Sequence, residues 1–215
     1  MKKETKRDFI IALFLLTAFV LWTLAVCHFD VAAVGPEESQ VGFSTVNRLF
    51  HSITGVNFSL YVITDWLGLV PVAVCLGFAI LGLVQWIKRK DIWKVDRDIL
   101  MLGGFYIVVM AMYILFEYVV INRRPVLING FLEASYPSST TLHVLCVMPS
   151  AMMQLNHRIK CVPLRQAVIG IIAAFTAFMV VGRLISGVHW LSDIIGGVLL
   201  SAGLVMLYHT VCKYR

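Results

Sequence analysis

The chain has 215 residues, of which 60% are hydrophobic and only 14% charged, with a mean hydropathy of +0.86; soluble domains average roughly 45–50% apolar residues. This excludes a water-soluble globular domain and predicts an all-α, polytopic membrane helix bundle. The net charge of +6 calls for no nucleic-acid partner, because its placement along the chain has a simpler reading.

Apolar runs near residues 9–29, 60–87, 98–121, 138–155, 166–186 and 191–211 approach the roughly 17–25 residues that cross hydrocarbon as a helix. Six transmembrane helices are therefore expected. The first run is longer than a signal-peptide core and no small-residue cleavage pattern follows it, so it is expected to remain as an anchor. Before the first run lie Lys2, Lys3, Lys6 and Arg7; between the second and third lie Lys88, Arg89, Lys90, Lys94 and Arg97. Arg158, Lys160 and Arg165 separate the fourth from the fifth, and Lys213 and Arg215 follow the sixth. These alternate connections hold 14 of the 18 basic residues, which by the positive-inside rule makes them cytoplasmic, with both termini inside. No soluble domain is left over, so residues 1–215 are expected to form a single membrane-embedded unit.

Between the first and second runs, Phe43, Val46, Leu49, Phe50 and Ile53 recur at helical spacing with Asn47, Arg48, His51 and Ser52 between them. That pattern predicts a short interfacial helix packed against the bundle. Asp65 is expected near the outer end of the second run, within reach of water. Glu117, at the end of the third, is expected to pair with Arg123 or Arg124, since a lone carboxylate near hydrocarbon is costly. Gly103-Gly104 and Gly196-Gly197 are expected to permit close helix packing.

The outward connections carry the chemistry. The loop from Arg123 to Pro137 contains Arg124-Pro125 and Asn129-Gly130 and leads into Ser138, Ser139 and Thr140 at the start of the short, hydroxyl-rich fourth run. Where the fifth and sixth runs meet stand Arg183, His189 and Asp193. Ionisable side chains clustered beside membrane-length apolar runs point to function. The four-residue spacing of His189 and Asp193 would stack them on one helix face, where the carboxylate orients the imidazole and makes its other nitrogen a better base or nucleophile. Arg124 and Arg183 supply planar forks for phosphate oxygens, and the first N–H groups of the fourth helix form an anion site.

Arg124-Pro125, Pro137-Ser138 and the Arg183, His189, Asp193 array resemble, in order, the three signature motifs of the type 2 phosphatidic acid phosphatase superfamily. The resemblance implies a lipid phosphatase needing no metal or other cofactor, in which His189 attacks phosphorus with support from Asp193 while Arg124, Ser138 and Arg183 hold the phosphoryl group. Ser139 and Thr140 are placed with that phosphate-binding set, and His143 and Arg123 are auxiliary candidates, although a lone His in an apolar run such as His143 is more often a packing residue. The implied partners are a lipid phosphate or diphosphate substrate and the surrounding membrane lipids, with the site extracytoplasmic and a bacterial plasma membrane as the setting. Glu117 stands where the family carries Lys, Thr140 where it carries the His that protonates the leaving group, and Gly182 where it carries Ser. The loss of that His favours a substrate whose leaving group needs no proton, hence a lipid diphosphate such as a polyprenyl diphosphate. The alternatives are a protein that binds or transports lipid phosphate without hydrolysing it, and a lipid phosphotransferase.

Overall fold

The computed structural model describes residues 3–213; Lys2 and Arg215, two of the charges used above, lie outside the described residues. Helix α1 spans Lys3–His28 and is followed by a short antiparallel ribbon, β1 (Ala32–Ala33) with β2 (Gln40–Val41). Helix α2 (Ser44–Thr54) is the expected interfacial helix: Val46, Leu49 and Ile53 face outward, while Asn47 is buried. Helices α3 (Phe58–Leu67) and α4 (Leu69–Arg89) together form the second run. They part at Gly68 because Pro71, in the first turn of α4, has no N–H and its ring excludes the carbonyl four residues back, at Leu67. Helices α5 (Arg97–Tyr118), α6 (Ser139–Arg158), α7 (Val162–Ile185) and α8 (Leu191–Lys213) complete the bundle.

The expected count of six apolar spans needs one correction. Among the described residues, five helical stretches are long and apolar enough to cross a membrane: Glu4–His28, Phe58–Arg89, Arg97–Tyr118, Val162–Ile185 and Leu191–Lys213. Helix α6 is as long as a span, but it packs against α4, α5, α7 and α8 and buries Thr141, Ser150 and Gln154 along with its apolar residues. Two of these polar groups find partners on neighbouring helices: the Ser150 hydroxyl meets the Tyr106 hydroxyl at 3.1 Å, and Gln154 Nε2 donates to the Tyr208 hydroxyl at 2.8 Å. Surrounded by other helices, α6 has no need of an all-apolar surface.

Helix α8 is the other central element. It runs along α1, where Gly203 allows a close approach: a Cβ there would lie 2.7 Å from Leu16 Cδ2, and the Leu16 side chain would have to shift. Gly196 receives the Tyr136 ring, 2.5 Å from where its Cβ would stand, and Gly197 abuts Thr141. Gly103 and Gly104 behave differently from expectation, since a Cβ at either would meet nothing within 4 Å. At the end of the bundle where α1 begins and α8 ends, Lys213 pairs with Glu4 and Asp8, and Arg158 with Asp96 and Asp98. The loops between α1 and α3, α5 and α6, and α7 and α8 gather at the opposite end, where Trp22 Nε1 donates to the Ser192 carbonyl at 3.1 Å.

Candidate functional site

Two loops build the site. The first, between α5 and α6, folds back as a small hairpin. Asn129 and Gly130 at its tip both have positive φ, 50° and 83°, as a tight two-residue hairpin turn requires. The return leg sets Arg124 opposite Glu133, with Arg124 N–H donating to the Glu133 carbonyl at 3.1 Å, and Ser135 N–H donating to the Asn122 carbonyl at 2.9 Å. The second loop turns at Gly187, φ +68°, whose α-hydrogen faces the Gly55 carbonyl so closely that no side chain fits. Trp190 Nε1 then donates to the Arg123 carbonyl at 2.7 Å, joining the two loops.

Helix α8 begins at Leu191, so His189 precedes the helix and does not share a helical face with Asp193. Asp193, in the first turn, instead accepts from the Trp190 N–H at 3.0 Å, which is the carboxylate half of a capping box. The direct hydrogen bond expected between Asp193 and the imidazole runs through a third residue. Ser135 Oγ donates to Asp193 Oδ2 at 2.5 Å and lies 2.9 Å from His189 Nδ1. Asn122 Nδ2 donates to the other carboxylate oxygen at 2.9 Å, and Ser192 Oγ reaches it at 3.4 Å. All of these side chains are buried. Burial holds the His189 imidazole well below its ordinary pKa; the Arg124 and Arg183 guanidiniums push the same way, against a hydrogen bond to the Ser135 backbone. The ring is therefore a neutral base at physiological pH.

The two guanidiniums converge on a residue from neither loop. Tyr61, on α3, has its ring centroid 4.9 Å from Arg183 Cζ and 5.9 Å from Arg124 Cζ. Arg183, with 2% of its side chain exposed, donates through Nη2 to Asp65 Oδ1 at 2.8 Å and to Thr140 Oγ1 at 2.7 Å. Arg124 Nε lies 3.1 Å from Glu133 Oε2. What remains is a set of buried polar atoms with no hydrogen-bond partner in the protein: Arg124 Nη1, Arg183 Nε and Nη1, and His189 Nε2. Unpaired buried donors are costly, and donors of this kind beside a bare imidazole nitrogen suit an anion with several oxygens.

The remaining sequence candidates take other positions. Ser138 caps α6, its hydroxyl accepting from Thr141 Oγ1 at 3.1 Å and from Thr141 N–H at 3.5 Å. Ser139 lines a narrow cleft of about 20 Å³ with His189, Ser135, Tyr113, Phe116 and Glu117. Thr140 orients Arg183. Arg123 donates to the Leu132 carbonyl at 2.9 Å, bracing the hairpin. The His143 ring packs against Tyr113, centroids 5.3 Å apart, and its buried Nε2 has no hydrogen-bond partner. The expected pairing of Glu117 with Arg123 or Arg124 gives way to Glu133, which the hairpin brings opposite Arg124, and Glu117 stays exposed at the cleft. Sequence reasoning missed Ser135, Asn122, Tyr61 and Glu133. Asp65 stands in reach of water as expected, but its pairing with the buried Arg183 was not foreseen, although a carboxylate inside an apolar run was itself a signal of a cationic partner.

Comparison with known proteins places this geometry. The fold resembles the crystal structure of the first transmembrane PAP2 type phosphatidylglycerolphosphate phosphatase from Bacillus subtilis, with a TM-score of 0.54 and 21% identity, covering 95% of this chain and 98% of that one. None of the curated proteins compared with the chain matches it. The PAP2 superfamily profile matches residues 105–215, the stretch that carries the hairpin, Arg183, His189 and Asp193, and the chain is thus an integral-membrane member of the PAP2 superfamily.

Proposed function

We propose that the protein is a membrane lipid phosphatase that works through a phosphohistidine at His189 and prefers a lipid diphosphate. The observation that carries this reading is the bare, buried Nε2 of a neutral imidazole beside three unpartnered guanidinium nitrogens. In the first step the Nε2 lone pair forms a bond to phosphorus while the bond from phosphorus to the leaving oxygen breaks, its electron pair departing with that oxygen. Arg124 and Arg183 bear the charge on the non-bridging oxygens. In the second step water bonds to phosphorus, the P–N pair returns to Nε2, and orthophosphate leaves with the water's proton released to solvent.

The substrate preference follows from Thr140. A general acid contributes typically 10²–10⁴ in rate, and the residue at that position is a hydroxyl occupied by Arg183 Nη2. An alkoxide leaving a lipid monophosphate needs a proton. A phosphate leaving a diphosphate does not, because its relevant pKa is about 6. The neighbour of similar fold is named for a lipid phosphate substrate, which agrees with the class. The gathering of Arg89, Lys94, Arg158 and Lys213 at the far end of the bundle supports a cytoplasmic position for that end and an extracytoplasmic site, in keeping with a bacterial plasma membrane. The test is orthophosphate release by purified protein across a panel of lipid mono- and diphosphates, with His189→Ala as the blank. Faster turnover of diphosphates and an acid-labile, base-stable phosphoprotein that His189→Ala lacks are expected. Equal rates on phosphatidate and a polyprenyl diphosphate would refute the preference, and binding without phosphoprotein or release would refute catalysis.

A further inference from the structure

A neutral imidazole has one N–H and one lone pair, a serine hydroxyl has a single hydrogen, and a carboxylate only accepts. These counts assign every proton in the buried chain from Asp193 to His189. The Ser135 hydrogen is directed to Asp193 Oδ2, 2.5 Å away. At the 2.9 Å contact with His189, Ser135 Oγ can then only accept, so the hydrogen there belongs to Nδ1. Nε2 is left with the lone pair, and it is the ring nitrogen that has no protein partner. From this arrangement we infer that Ser135 is the positioning residue of the nucleophile, fixing the tautomer that leaves His189 Nε2 reactive and carrying the influence of Asp193 to a ring the carboxylate does not itself hold.

The role is built into the hairpin. Ser135 N–H is held by the Asn122 carbonyl, and Asn122 Nδ2 fixes the far oxygen of the same carboxylate at 2.9 Å. The two ends of the hairpin thus clamp Asp193 and present Ser135 to the ring. When phosphorus bonds to Nε2 the ring becomes cationic with its proton still on Nδ1, and that charge is stabilised through Ser135 Oγ by Asp193. The charged groups around the ring are Arg124, Arg183 and Asp193, with Glu117 across the cleft; Ser135 alone links the ring to the carboxylate.

This inference rests on the phosphohistidine reading, and the experiment separates the two. Wild type, Ser135→Ala and Ser135→Thr are compared in lipid nanodiscs by single-turnover phosphorylation across pH, by steady-state kinetics on a polyprenyl diphosphate, and by nitrogen NMR of isotope-labelled histidine. Ser135→Ala should lower the phosphorylation rate and kcat by about 10- to 100-fold, the range for outer partners that orient metal-ligating histidines, with KM nearly unchanged, and the share of the Nδ1–H tautomer should fall, the Ser135 backbone remaining as a partner of the ring. Ser135→Thr, which keeps the hydroxyl, should recover most of the rate. The acid limb of the Ser135→Ala profile should move to lower pH, since the imidazolium loses its link to Asp193. A merely loosened site would move it upward, toward the ordinary histidine value. Wild-type rate and tautomer in Ser135→Ala, an upward acid limb, or no recovery in a folded Ser135→Thr would overturn the inference. Absence of phosphoprotein and phosphate release from the wild type would defeat the phosphatase reading instead, and the tautomer measurement would still decide the role of Ser135.

Discussion

Asp65 offers the sharpest test of how the anion site is balanced. It comes from α3, outside the stretch matched to the superfamily, and its carboxylate holds one edge of Arg183 at 2.8 Å while remaining 58% exposed. A phosphate on the opposite edge of that guanidinium would lie on the order of 8 Å from the Asp65 carboxylate, two hydrogen bonds and the width of the cation away. With an effective dielectric constant of about 40, between the surface and bulk values, two unit charges at that separation repel by about 1 kcal/mol. A monoanion is therefore weakened about fivefold and a dianion about 30-fold. Asp65→Asn removes the charge and keeps an acceptor for Nη2, so orthophosphate should bind about 5- to 30-fold more tightly. The gain should shrink with added salt, because the Debye length is about 8 Å at 0.15 M. Stability should fall by only about 1 kcal/mol, since water reaches the exposed Asp65 position. Calorimetric titration of orthophosphate into wild type and variant, at low and at physiological ionic strength, reads the effect directly. Unchanged or weaker binding at low salt would show that Asp65 serves Arg183 as an orienting partner alone, and the charge-balance argument would be wrong.

Four further outcomes follow from the site. If His189 is the nucleophile proposed above, it reacts as the neutral ring, and because its pKa is held well below the ordinary value, single-turnover phosphorylation should stay level as pH falls through about 6.5 and decline only at more acidic pH; an acid limb at the ordinary histidine value would contradict the burial seen here. The same shift makes the unfolded chain bind more protons than the folded one between the two pKa values, so stability should drop as pH falls below about 6.5, and His189→Gln should flatten that part of the thermal-denaturation profile. Thr140→His restores a proton donor beside the leaving group while removing the hydroxyl that Arg183 engages; turnover of lipid monophosphates should rise relative to diphosphates, and an equal change on both would refute the leaving-group argument. Glu117→Lys places a cation at the exposed cleft wall beside His189, and KM for a diphosphate should fall by about two- to fivefold, the scale of an exposed charge contact, as measured by initial rates at low salt.

Hydropathy and charge were enough to read most of the architecture from the chain, because lipid-facing helices must be apolar along their length and the connections between them must carry the charge. Helix α6 shows where that reading stops. Hydropathy reports the surroundings a helix requires, and α6 is surrounded by protein, so Thr141, Ser150 and Gln154 sit in its buried face. The glycine pairs make the same point from the other side. Gly196-Gly197 and Gly103-Gly104 are alike in sequence, yet only the first pair meets a neighbouring side chain, since the partner is set by how α8 lies against Tyr136 and α6.

The site divides along similar lines. Arg124, Arg183, His189 and Asp193 stand out because ionisable residues beside apolar runs need a reason to be there. Their partners do not stand out, because each depends on a register that no local spacing encodes. His189 and Asp193, four apart, suggested one helical face; with α8 beginning at Leu191, the two are joined by Ser135, whose position depends on the hairpin turn at Asn129-Gly130 and on the pairing of Arg123 with Ala134. Glu133 owes its contact with Arg124 to the same pairing. Tyr61 and Asp65 reach Arg183 because α3 packs against α7, a helix far away in sequence. The residues proposed to meet phosphate can thus be found from their chemistry alone, whereas Ser135 and Glu133, which hold them, are placed by one tight turn at Asn129-Gly130, and a substitution there should disturb the site without touching any proposed phosphate ligand.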